Sequence, residues 1–143
     1  MATPIGLGAS MPVGYVYDPI YLEHDCADHP ENSSRLSAIM AHLDESGLLS
    51  RLSSIPAEQV SLEALTRVHA SRYVEFVRQL AEHGGGWPDS DTYVNSRSYE
   101  VALYAVGGVI AATRAVLNGK VDSAFALVRP PGHHATRDQA QGF

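Results

Sequence analysis

The chain has 143 residues, 45% hydrophobic and 18% charged, which is the size and make-up of one globular domain and excludes a disordered or low-complexity tract. Ten Lys and Arg against sixteen Asp and Glu leave a net charge of -6, which argues against a general nucleic-acid surface. Cys26 is the single cysteine, so neither an intramolecular disulfide nor a cysteine-rich zinc framework is available, and a cytoplasmic setting is expected.

Residues 1–12 carry no basic segment and no long apolar run, so they predict neither a signal peptide nor a membrane span; we expect a frayed N-terminus there and one domain over 13–143. Val13-Gly14-Tyr15-Val16-Tyr17 is β-branched and aromatic and stops at Asp18-Pro19, a strand running into a turn. The stretch holding Glu23, His24, Asp25, Asp28 and His29 reads as a solvated polar loop rather than a metal cluster. From Ser33 or Ser34 as cap, Leu36, Ile39, Met40 and Leu43 repeat at helical spacing, and Gly47 offers a left-handed stop.

Ser61 caps a short turn through Leu62 and Leu65, and Ser71 precedes a second helical stripe of core residues, Tyr73, Phe76, Val77 and Leu80. Gly84-Gly85-Gly86-Trp87-Pro88 predicts an irregular, flexible loop that presents Trp87 at a rim. Ser98 to Leu117 carries Val101, Ala105, Val109, Ala112 and Val116 on one face, with small Gly107 and Gly108 in the middle, the pattern of a helix buried against a sheet. Ser123 to Val128 is an almost unbroken apolar run, typical of a strand covered on both faces. The order strand, helices, strand indicates a layered α/β fold with at least part of its sheet parallel.

That last strand feeds Arg129-Pro130-Pro131-Gly132-His133-His134-Ala135. Reactive groups in parallel α/β sheets collect beyond the carboxyl ends of strands. Two prolines fix φ and Gly132 permits a sharp bend, so His133 and His134 are presented on a pre-organised loop. Imidazole, with an ordinary pKa of about 6.5, suits proton transfer at neutral pH. Adjacent residues chelate one ion awkwardly, so a zinc pair is the weaker reading.

The segment from Arg129 to Ala135, followed by Gly142-Phe143, resembles the signature of class II histone deacetylases and acetylpolyamine amidohydrolases. His29-Pro30-Glu31 with Arg35 is similar to the HPExxxR start of that family, and Val68-His69 with Tyr73-Val74 to its VHxxxYV segment. Asp89-Ser90-Asp91-Thr92 and Gly107-Gly108 match the loop and long helix that follow, so the resemblance covers about Tyr15 to Phe143.

The resemblance implies the N-terminal portion of a three-layer arginase/deacetylase-type fold and zinc-dependent hydrolysis of an acetylated amine, acetyl-lysine or acetylpolyamine. On this reading His133 and His134 are the catalytic pair, with His134 as general base and acid and His133 as its electrostatic partner. Asp91 matches the rim aspartate that holds the substrate backbone, Phe143 an aromatic wall of the acyl-lysine tunnel, and Gly142 its small neighbour. Arg35 matches a buried arginine near an internal cavity, and reads equally as a structural ion-pair former. The zinc ligands of the family, an Asp-x-His pair and a further Asp, find no match in this sequence, so no strong zinc binding and little activity are expected of this chain alone. The other reading is a truncated, non-catalytic binding or assembly module. An unpaired strand edge predicts a homo-oligomer. Neither nucleic acid nor membrane is an expected partner.

Overall fold

A computed structural model describes residues 12–143; the segment expected to be frayed lies, but for Pro12, outside the described residues. The chain runs through β1 (Val13–Val16), a 3-10 turn (Pro19–Leu22), α1 (Ser34–Glu45), a second 3-10 turn (Leu49–Arg51) and β2 (Ser53–Ile55). It continues through α2 (Leu62–Thr66), α3 (Ser71–Glu82), β3 (Gly85–Gly86), β4 (Val94–Asn95), α4 (Ser98–Leu117) and β5 (Ser123–Ala126).

β1 is the middle of a three-stranded sheet of order β2-β1-β5, parallel to both neighbours. Parallel neighbours cannot be joined by a tight hairpin, so each connection crosses over through helices, as the strand and helix order predicts. Side chains alternate across the pleat, which puts Gly14 and Val16 on one face and Val13 and Tyr15 on the other. The Val16 face meets α4. A Cβ built on Gly108 would lie 2.7 Å from Tyr21 Oη and 3.1 Å from Val16 Cγ1, and one on Gly107 only 1.7 Å from the Glu58 carbonyl oxygen. The two glycines therefore let the α4 backbone come down onto the sheet and the segment after β2.

This close approach corrects the helix face read from the sequence. The buried stripe of α4 is Val101, Ala105, Gly108, Ala112 and Ala115, whereas Val109 and Val116 are exposed. Small side chains face the sheet because the backbone itself fills the space there. By length and composition α4 is apolar enough to cross a bilayer, with a mean hydropathy of 1.5, but its small-residue stripe is spent on the sheet.

Three further expectations are corrected. The Gly84-Gly85-Gly86 run is ordered: Gly85 and Gly86 pair antiparallel with Asn95 and Val94. Gly85 sits at φ +100°, and a Cβ there would stand 2.1 Å from the Val94 carbonyl oxygen, so the bridge requires glycine. β5 is shorter than the apolar run, and Phe125, on the side away from α4, is 63% exposed instead of covered. In α3, Tyr73, Val77 and Leu80 are half-buried and Phe76 is exposed, so that stripe is the edge of the core and not its centre. α2 is capped as expected, the Ser61 hydroxyl accepting from Ala64 N; α1 starts at Ser34 after Ser33 without a side-chain cap bond, and Gly47 at φ +71° follows it.

Candidate active site

The site is built on a buried ion pair. Arg129 leaves the end of β5 and its guanidinium meets the Glu31 carboxylate with both forks, Nε to Oε1 at 2.9 Å and Nη2 to Oε2 at 2.8 Å. Both side chains are almost wholly buried, and every remaining guanidinium donor is used: Nη1 donates to the carbonyl oxygens of Tyr21 and His24, and Nη2 to Tyr93 Oη at 2.9 Å. A planar cation with five donors can satisfy such a set, whereas a lysine cannot. Residues far apart in sequence are thereby locked together, the polar loop after β1 on one side and the start of the tandem-histidine loop on the other.

The polar loop is not the solvated stretch its composition predicts. His24 is buried, stacks on Tyr93 with centroids 4.3 Å apart, and its Nδ1 lies 2.6 Å from Ser98 Oγ at the start of α4. Burial, seconded by the charge of Arg129, pushes its pKa down to about 3, so it is neutral near pH 7. His29 is buried as well. Its Nδ1 accepts from Glu31 N at 3.1 Å, and its Nε2 lies 3.3 Å from Asp91 Oδ1. The Tyr93 ring meets it edge-on at 5.3 Å, with burial holding the Tyr93 phenol up to about 12.

The catalytic candidates lie on the other side of His29. The rings of His133 and His134 are exposed, 4.3 Å apart and inclined by 52°. Their surroundings differ. His133 lines an apolar cavity of about 420 Å³ between α3, α4 and the loop, with Val77, Val106 and Pro131 among its walls. His134 faces Gly142 so closely that a Cβ there would stand 2.9 Å from its Cβ, Cγ and Cδ2 atoms. Phe143 then packs edge-on against His29 at 5.2 Å. A continuous rim results, from His133 and His134 through Gly142 and Phe143 to His29 and Asp91.

Asp91 is 58% exposed at the end of this rim. Its neighbour Asp89 makes the local turn, accepting from Asp91 N at 2.7 Å, which leaves the Asp91 carboxylate to His29 and to whatever enters from solvent. Trp87 is exposed 6.4 Å from His29, at the rim its loop position predicts. Arg35 does not join the site as a buried residue. It is 62% exposed on α1 with Nη1 3.8 Å from Glu31 Oε1, because Arg129 already occupies the inner side of that carboxylate. Arg129 is the buried arginine of this region.

The far end of the tandem-histidine loop is tied to α3. Ala70 N donates to the Arg137 carbonyl at 2.8 Å, His69 Nδ1 lies 3.0 Å from the Thr136 carbonyl, and Arg72 pairs with Asp138 at 2.6 Å. Both ends of the loop are thus fixed. A scan against protein families matches the histone deacetylase domain over residues 29–143, the span that carries every residue of this rim.

The chain belongs to the histone deacetylase family. It is 43% identical over 135 residues to a histone deacetylase-like amidohydrolase of Pseudomonas aeruginosa, covering 94% of this chain and 34% of that protein. A probable deacetylase of Methanothermobacter thermautotrophicus is 37% identical over 129 residues, covering 90% and 38%. Among solved structures, the HDA15 HD domain superposes with a TM-score of 0.87 at 34% identity, over 92% of this chain and 39% of that one. The deacetylase-family α/β fold expected from the sequence is therefore present, over a chain that spans about a third of the length of these curated relatives.

The sequence reading missed three parts of this deacetylase-family site: His29 as a rim residue, His24 as a buried support, and the Arg129–Glu31 pair. The signal for the pair was present, since an arginine opening an apolar-flanked loop and a glutamate after His-Pro both call for a buried partner. Nothing local says that each is the other's.

Proposed function

We propose that this chain supplies the proton-transferring and substrate-gripping half of a deacetylase that hydrolyses an acetylated amine, acetyl-lysine or an acetylpolyamine. The observation that carries the reading is the convergence of His133, His134, Gly142, Phe143 and Asp91 on one rim, under a family match that spans all of them.

Amide hydrolysis needs a proton taken from the attacking water and one delivered to the leaving amine. His134, on the solvent side against Gly142, fills both roles in turn. His133, beside it on the same loop, is its electrostatic partner toward a developing oxyanion. Phe143 gives an extended acyl chain a flat apolar wall. Asp91 Oδ2 is free to accept from a backbone N–H of a lysine peptide or from a polyamine ammonium.

Zinc is what the family resemblance implies. Among the described residues no three His, Cys, Asp or Glu side chains come together to hold a metal, so these residues by themselves do not make a zinc site. The zinc ligands would be residues beyond 12–143 or residues of another molecule, and the chain alone would hydrolyse acetyl-lysine very slowly. The test is kinetic: in a chain extended past Phe143 to the length of the relatives, His134→Ala lowers kcat by ~10²–10⁴. Unchanged kcat in the His134→Ala and His133→Ala variants overturns the assignment.

A further inference from the structure

We propose that His29 is the positioning residue of the rim, holding the Asp91 carboxylate in its substrate-gripping orientation through an Nε2–H donor; this rests on the deacetylase reading above. Two of the three polar contacts around the ring, those of Glu31 N and Asp91, favour the same tautomer, against the Glu31 carbonyl. Glu31 N, a fixed backbone donor, points at Nδ1 from 3.1 Å, so the neutral ring carries its proton on Nε2. The other neutral tautomer would set a lone pair against Asp91 Oδ1 at 3.3 Å and a proton against the Glu31 N–H. The Glu31 carbonyl, 3.2 Å from Nδ1, accepts a proton there if the ring becomes charged, and Nε2 still donates to Asp91.

The ring itself cannot swing away. It is buried and is met edge-on by Tyr93 at 5.3 Å and by Phe143 at 5.2 Å. Glu31, which orients Nδ1, is in turn held by both forks of Arg129. A continuous set of contacts therefore runs from Arg129, at the start of the tandem-histidine loop, through Glu31 and His29 to Asp91. It fixes the rim carboxylate relative to the catalytic pair, so that a substrate gripped by Asp91 is presented in register with His134. Asp91 itself is more than half exposed, and without the imidazole its side chain would be free to rotate.

Two measurements on the extended chain decide the matter. Imidazole nitrogen and proton resonances of His29 report the tautomer without any need for activity: an Nε2–H ring whose Nε2 proton shifts or exchanges faster in Asp91→Ala is expected. An Nδ1–H ring, or resonances indifferent to Asp91→Ala, overturns the proposal even if the enzyme is fully active. In steady-state kinetics with an acetyl-lysine peptide, His29→Phe keeps a ring and loses the donor, raising KM roughly tenfold with kcat little changed. His29→Gln, which returns a donor near the Nε2 position, recovers most of that loss. In an Asp91→Ala background His29→Phe has no further effect, and additive losses would contradict a shared action. Absence of hydrolysis by the unaltered extended chain defeats the deacetylase reading and leaves the resonance test standing.

Discussion

Arg129 and Glu31 form a two-forked ion pair in the interior, at 2.9 and 2.8 Å, with side chains 2% and 5% exposed. Two buried charges gain from each other only while both are present. Glu31→Ala therefore destabilises the chain by about 3–5 kcal/mol, because it leaves the guanidinium buried with its strongest partner gone. Pairing Glu31→Leu with Arg129→Met recovers only part of that stability, because the Tyr21 and His24 carbonyls lose their guanidinium donor. Urea denaturation of Glu31→Ala and of the double variant checks both outcomes, and equal losses in the two would refute the coupling.

Acid sensitivity follows from His24. Its folded pKa lies at about 3, below the ordinary histidine value of about 6.5, so the unfolded chain takes up this proton first. The stability that neutral His24 permits is complete above pH ~6.5 and is lost as pH falls from there toward 3, at up to about 1.4 kcal/mol per pH unit. His24→Asn keeps an acceptor toward Ser98 and removes the titration. The difference between the two stability profiles should slope only in that window, and parallel profiles would count against a buried neutral imidazole.

The glycines divide by what surrounds them. At Gly85 a Cβ would meet the Val94 carbonyl at 2.1 Å and φ is +100°, so Gly85→Ala should cost about 3 kcal/mol or more. Gly119, at φ +66° with open space around it, should tolerate alanine for about 1 kcal/mol. Thermal unfolding of the two variants orders them, and a reversed order would contradict the packing of the β3–β4 bridge.

Self-association is expected of this chain by itself. β5 pairs only with β1 among the described residues, and Phe125 and Val13 are exposed on the same side of the sheet. An open parallel edge beside apolar surface invites a second copy. Sedimentation should show a dimer or larger species that Phe125→Ser weakens; a monomer at high concentration would refute the expectation.

Much of this molecule is legible from local pattern. α1, α3 and α4 follow from their spacing, and the tandem histidines from the strand and turn that precede them. Where the pattern failed, the deciding contact was distant or involved a backbone. Val109 repeats with Ala105 as well as Gly108 does, and only the proximity of Val16 and Tyr21 selects the glycine. His24 and His29 look solvated because their neighbours in sequence are polar, while their neighbours in space are Tyr93, Ser98 and Phe143. Arg35 carried the family spacing, but Arg129 took the inner face of Glu31.

Zinc content and acetyl-lysine hydrolysis, measured side by side on this chain and on a version extended past Phe143, test the central claim most directly. We predict roughly one zinc per extended chain, with hydrolysis that His134→Ala lowers ~10²–10⁴-fold, and neither tight zinc nor more than very slow turnover in the 143-residue chain. Turnover with tightly held zinc in the short chain, or a zinc-loaded extended chain that hydrolyses no acetylated amine, would contradict it.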